Sequence, residues 1–248
     1  MASRKSSGTW DTIKTVLYAM LIAGAVRTVA FEPFNIPSGS MEPTLLVGDY
    51  LFVSKYAYGY SRYSMPFGIG PSSTGRLFGK EPERGDVVVF KKPYGNTVDY
   101  IKRVIGLPGD HIQMIGGILH INGKPVERQR IEDFVGRDRD GNIVRSPQYI
   151  ETLPNGRKHH IVEYYGDNGP ADNTPEYVVP PGHYFMMGDN RDNSQDSRYL
   201  DEVGYVPAEN LVGRAEILFF STNGTAQLYE PWKWPFAIRF DRLFERIH

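Results

Sequence analysis

Three stretches of the sequence hold side chains whose types and spacing could do chemistry. The first is Phe34-Asn35-Ile36-Pro37-Ser38-Gly39-Ser40-Met41-Glu42-Pro43-Thr44-Leu45, an apolar extended piece in which serines flank a glycine and proline closes the run; a bend presenting hydroxyls is implied. A serine becomes a nucleophile only beside a base, and without one this is an ordinary serine-capped turn. The second is Val98-Asp99-Tyr100-Ile101-Lys102-Arg103-Val104-Ile105, where adjacent cations interrupt an apolar strand. Strand alternation sends them to opposite faces, so that one points inward, unless both lie on a solvated edge. Arginine cannot lose its proton and can only pair, whereas a desolvated lysine can turn neutral and accept one. Lowering a lysine from about 10.4 to about 8 costs roughly 3 kcal/mol and raises its neutral fraction at pH 7 from about one in 2,500 to about one in ten. Of the two cations only Lys102 could serve as a base. The third stretch, Gly188-Asp189-Asn190-Arg191-Asp192-Asn193-Ser194-Gln195-Asp196-Ser197-Arg198, first suggests a calcium loop. The EF-hand pattern fails, because neither Asp189 nor Asp192 has glycine at the sixth loop position, and Leu200 and Val203 stand where the closing glutamate belongs. A hydrogen-bonded structural loop is the reading there. His159-His160, His111, His120 and His183 show no ligand spacing, and no metal or cofactor is expected.

The elements that must hold these residues are mostly strands. Segments 50–54, 86–91, 98–105, 111–121, 161–165, 183–187 and 211–220 are short, β-branched or aromatic, and bounded by turn residues. Gly116-Gly117 and Asn122-Gly123 supply the positive φ angles of two-residue hairpin turns. The expected fold is mainly β: antiparallel sheets forming a core over 32–230, with an inserted ribbon at about 115–182. Segments 60–79 and 128–160, rich in Ser, Gly and Pro or in Arg, Asp, Asn and Gly, read as exposed loops or a flexible ribbon. The chain has Lys+Arg 28 against Asp+Glu 29, a net charge of -1, which gives no basic face for nucleic acid. With Cys 0, thiolate and disulfide chemistry are excluded, so any nucleophile is an oxygen or an amine.

Both ends differ from the body. Segment 13–31 is the long apolar stretch, roughly 28 Å as a helix, and is expected to be a transmembrane anchor, with a cleavable signal peptide or a surface-lying helix as alternatives. Arg4, Lys5 and Lys14 place residues 1–12 in the cytoplasm by the positive-inside tendency, although Arg27 lies on the wrong side for that rule. Segment 231–248, with Trp232, Trp234, Phe236, Phe240 and Phe244 among basic residues, is expected to be an amphipathic helix that packs on its own domain or touches lipid.

Five motifs in order, Pro-Ser-Gly-Ser-Met-x-Pro-Thr at 37–44, Gly-Asp at 48–49, Gly-Asp-Val-Val-Val-Phe at 85–90, Tyr-Ile-Lys-Arg-Val-Ile-Gly-Leu-Pro-Gly-Asp at 100–110 and Gly-Asp-Asn-Arg-Asp-Asn-Ser-x-Asp-Ser-Arg at 188–198, resemble bacterial signal peptidase I. The likeness runs from about 31 to about 220. It implies a membrane-bound serine endopeptidase of the inner membrane, with its catalytic domain on the outer face near the export translocon, that removes signal peptides from preproteins after an Ala-x-Ala-like site. It further implies Ser40 as nucleophile, Lys102 as general base, Ser38 as side-chain donor to the oxyanion and Ser194 as the hydroxyl orienting the lysine. Asp189, Asp196 and Arg198 would form the supporting network, and Phe34, Ile36, Met41, Leu45, Leu51, Val89, Tyr100 and Ile101 the pockets for small substrate residues. Many members carry two transmembrane segments where one is expected here, and segment 128–160 follows no family pattern. A self-cleaving serine-lysine regulator and a non-catalytic envelope scaffold are the rival readings.

Overall fold

The computed structural model describes residues 8–65, 75–95, 97–137, 142–226 and 230–248. Residues 1–7, residues 66–74 of loop 60–79 and the tip of the insert at 138–141 therefore lie outside the described residues. Helix α1 (Thr9–Val29) is followed by strands β1 (Phe31–Asn35), β2 (Asp49–Ser54), β3 (Val87–Lys91) and β4 (Asp99–Gly106). Next come β5 (His111–Ile115), β6 (Ile118–Ile121), β7 (Lys124–Pro125), β8 (Glu127–Arg130), β9 (Phe134–Arg137), β10 (Ile143–Ser146), β11 (Gln148–Thr152) and β12 (Lys158–Val162). The chain returns through β13 (Tyr177–Val178), β14 (His183–Met187), β15 (Val206–Pro207) and β16 (Leu211–Ser221), and a short helix α2 (Trp234–Ala237) lies near its end.

The pairings are antiparallel, as expected of a mainly β fold. A seven-stranded sheet runs β1-β2-β16-β3-β4-β14-β15, so the last long strand sits in the middle, between the strand pairs that carry the first two chemical stretches. Strand β3 reads Val-Val-Val-Phe because both of its faces are covered. Val87 and Val89 pack with Ile36, Met41, Leu45 and Leu51, whereas Val88 and Phe90 pack with Tyr58, Val104 and Met186. A third core lies between the sheet β13-β5-β6-β7 and β14, around Ile112, Leu119 and Phe185. The Gly116-Gly117 turn has φ of 54° and 72°, and Asn122-Gly123 54° and 74°, the left-handed values the hairpins required.

Three expectations need correction and one is sharpened. Segment 128–160, read as exposed loop or ribbon, is ribbon and sheet: β8, β11 and β12 form a three-stranded sheet, and β9 and β10 a hairpin. These strands are polar on their solvent sides and were invisible to an apolar-alternation reading. The strand expected at 161–165 lies at Lys158–Val162. Helix α1 ends at Val29, and Phe31, expected in the anchor, opens β1 beside Ser54. Among the described residues no helix is long and apolar enough to cross a membrane. Helix at 231–248 is confined to Trp234–Ala237 with flanking 3-10 turns, and the tail then returns along β16 through the bridge of Arg246 to Ile217. Arg242 fastens that tail to Asp49 at 2.7 Å.

Candidate active site

Ser40 sits in a single 3-10 turn, Gly39–Met41, between β1 and β2. Two bonds from Asn190 hold that turn: its backbone N–H donates to the Ser40 carbonyl (3.2 Å) and its side-chain amide to the Gly39 carbonyl (3.1 Å). Tyr164 adds a further brace by donating its hydroxyl to Glu42 Oε2 at 2.8 Å.

Strand β4 delivers the amine. Its register with β3 sets Lys102 opposite Val88 and Arg103 opposite Val87, so the neighbouring cations leave opposite faces of the pleat. Both are buried, where the sequence had required burial of only one. Lys102 Nζ lies 2.7 Å from Ser40 Oγ and donates to the Ile101 carbonyl at 2.9 Å. Ser40 and Lys102 are only 8% and 4% exposed, which keeps water from solvating the ammonium. Burial lowers the Lys102 pKa to about 8, against the upward pull of the Asp196 and Asp189 carboxylates.

Arg103 can only pair, and it does. Its guanidinium grips Asp189 through Nε–Oδ1 (2.8 Å) and Nη2–Oδ2 (2.7 Å), and the Thr44 hydroxyl also donates to Asp189 Oδ2 at 2.5 Å. Burial alone would raise the Asp189 carboxyl; Arg103 and His159 outweigh it and hold the pKa far below the usual range. Asp196 is gripped likewise by Arg198 at 2.9 Å through both oxygens and receives the Gly188 N–H at 3.0 Å, which together overcome burial and keep its pKa low. Gly188 is where the first and third stretches converge. A Cβ there would meet Ser194 Oγ at 2.2 Å and the Ser40 carbonyl at 2.5 Å, so only glycine lets those segments touch.

Ser40, Lys102, Asp189, Asp196, Arg198 and Ser194 are thus brought into one region. Ser194 is buried and its hydroxyl acts on the Asp196 carboxylate without reaching strict hydrogen-bond geometry, and its expected bond to Lys102 is not formed. Ser38 is exposed at the rim of the cleft that contains Ser40. That cleft has a volume of about 870 Å³ and is lined by Phe34, Ile36, Val89, Tyr100 and Ile101 among the expected pocket residues. Met41, Leu45 and Leu51 are not on its walls: at 1%, 0% and 0% exposure they belong to the core beneath it. Asn35, Val98, Asp99, Asn193, Gln195 and Tyr199 line it unforeseen.

Sequence reasoning also missed a buried ionic chain. His159 stands between Asp189 (3.3 Å) and Glu151 (3.1 Å), and Glu151 is gripped by Arg191 at 3.0 and 2.5 Å. The signal was present: alternation puts His159 on the face of the apolar Ile161, a buried position for a histidine.

The family described as Signal peptidase, peptidase S26, matches residues 9–220. The signal peptidase I of Rickettsia typhi (strain ATCC VR-144 / Wilmington) is 40% identical, covering 99% of this chain and 98% of that one. That of Rickettsia prowazekii (strain Madrid E) is 41% identical over 93% of this chain and 91% of its own. A crystal structure of a signal peptidase I from Enterococcus faecalis V583 shares 26% identity at a TM-score of 0.31, covering 54% of this chain and 97% of that one. By the extent of the family match and of the rickettsial similarity, the chain belongs to the signal peptidase, peptidase S26 family and is a serine peptidase.

Proposed function

We propose that this peptidase removes N-terminal signal peptides from exported preproteins after a small-residue, Ala-x-Ala-like site, with Ser40 as nucleophile and Lys102 as general base. The observation that carries the reading is the 2.7 Å contact between a buried hydroxyl and a buried amine whose pKa is lowered to about 8. While charged, Lys102 donates to Ser40; once neutral, the same contact reverses and the serine proton has an acceptor. Ser40 Oγ then attacks the scissile carbonyl, and Lys102 passes its proton to the leaving amine, giving an acyl-enzyme that water resolves with the lysine again as base. The Ser40 N–H and the Ser38 hydroxyl would stabilise the oxyanion, and Ser194, Asp196 and Arg198 would keep the lysine in position. The cleft beside β1 suits an extended segment bound as an added strand. Its lining by Phe34, Ile36 and Ile101 supports apolar side chains at the positions bound there.

We further propose that α1 holds the enzyme at the cytoplasmic membrane with its N-terminus inside. In support, Ile13, Val16, Leu17, Met20, Leu21 and Ile22 are all exposed along the helix.

The test incubates purified full-length protein with a preprotein. Cleavage in trans at the small-residue site is expected, with Ser40→Ala and Lys102→Met inactive but folded, and Ser38→Ala slower in kcat by about 10²-fold. Activity should rise from mild acid through an apparent pKa near 8, because the amine must shed its proton. Self-cleavage alone would make the chain a regulator, no cleavage a scaffold, and a flat pH profile would remove Lys102 as base.

A further inference from the structure

No calcium loop was expected in 188–198, yet Asp192 acquires company that its own segment could not reveal. In the turn Arg191–Asn193 it meets Glu163 and Asp172, and an oxygen from each carboxylate lies within 4.8 Å of the others. Glu163 and Asp172 are wholly buried. Asp192 Oδ2 accepts the Tyr165 N–H (2.7 Å) and Asp172 Oδ2 the Gly169 N–H (2.5 Å), but Asp172 Oδ1 and both oxygens of Glu163 accept no hydrogen bond at all.

Charge compensation is incomplete: Arg191 and Arg198 act on Glu163 only through space, each being hydrogen-bonded to another carboxylate, Arg191 to Glu151 at 2.5 Å and Arg198 to Asp196 at 2.9 Å. Arg128 comes no closer than 3.9 Å to Glu163 and is paired with Asp167 at 2.7 Å. A fully buried carboxylate accepting nothing, beside two more carboxylates, calls for an ion, a proton or ordered water, because a native interior does not leave such charge uncompensated.

We propose that Glu163, Asp172 and Asp192 form a binding site for a hard divalent cation, calcium fitting best. The donors are all oxygen, which disfavours soft metals. Three carboxylates in a largely buried cluster suit calcium, which takes many protein oxygens, whereas magnesium keeps several waters and is usually held by one or two carboxylates. The unpartnered oxygens of Glu163 and Asp172 with Asp192 supply part of the six to eight ligands calcium takes, water the remainder. Asp192, being partly exposed, gives the ion a way in. Bound there, the cation ties segment 163–172 to the turn that precedes Ser194, bracing the site without entering the chemistry.

The competing occupant is a proton, since burial pushes the Glu163 carboxyl up to about 8. The full chain, stripped by chelator in detergent, is titrated with calcium or magnesium while uptake is followed by equilibrium dialysis and stability by Tm. One ion per chain is expected, with a saturable Tm rise of about 5–10 °C at a hundredfold excess over Kd. The near-isosteric Glu163→Gln and Asp172→Asn should lose both responses. The site is refuted if the stripped wild type takes up neither ion at millimolar concentration, or if the variants still hold it. Because the wild-type titration alone decides occupancy, a variant that fails to fold does not protect the proposal.

Discussion

Lys102 is kept half-ready at a cost in stability. Its pKa is near 8 in the fold and 10.5 when unfolded, so at neutral pH the native state carries a penalty of about 3 kcal/mol. Between pH 8 and 10.5 the unfolded chain binds more protons than the native one, and the penalty fades as pH rises through that window. Lys102→Met should therefore be more stable than wild type at pH 7, by about 1–2 kcal/mol once its bonds to Ser40 and the Ile101 carbonyl are subtracted, with the gain gone near pH 10.5. Urea unfolding at the two pH values checks this, and equal or lower stability at pH 7 would contradict a desolvated amine. The lysine was legible because side-chain chemistry eliminates its neighbour as a base. Thr44 and Asn190 were not, since threonine and asparagine are common turn residues whose long-range partners no local pattern reveals.

At the scale of elements, the insert supports the peptidase body through β11 and β12. Glu151 on β11 and His159 on β12 continue the ion pair of Arg103 and Asp189 into Arg191, so the small sheet and the 188–198 loop share one buried network. Burial alone would raise the Glu151 carboxyl; Arg191 and His159 overcome it and hold the pKa near 2. The stability it contributes is complete above about pH 4.5 and is lost as pH falls toward 2. Glu151→Gln strands Arg191 without a counter-charge and should cost about 3–5 kcal/mol at pH 7 in urea unfolding, with a shallower acid limb than wild type. A loss below about 1 kcal/mol would show that the pair is not needed. Strands with β-branched cores, such as β3 and β4, were readable from sequence, whereas β9 and β10 pair with each other, β8 edges β11, and all three present mixed polar faces, leaving no period to find. Strand β1 was hidden because Phe31 extends the apolar run of α1, and the pleat that receives it is built by β2, out of view of a local reading.

For the molecule as a whole, α1 and the exposed aromatic residues Trp232, Trp234 and Phe236 are the surfaces with most to gain from lipid. With the N-terminus tagged, protease added outside cells of permeable outer envelope should spare the tag and digest the catalytic body; digestion of the tag would reverse the proposed orientation. The general architecture, mainly β, followed from composition and turn signals, but the order of strands did not, because it is decided by pairings across most of the chain. The position of β16 in that order matters during biosynthesis. Ser40 belongs to the β1–β2 half of the large sheet and Lys102 to the β3–β4 half, and β16 is the strand that hydrogen-bonds to both. Until residues 211–221 have left the ribosome, the two halves lack their common seam, so under the proposed mechanism a nascent copy cannot yet bring its hydroxyl and amine together.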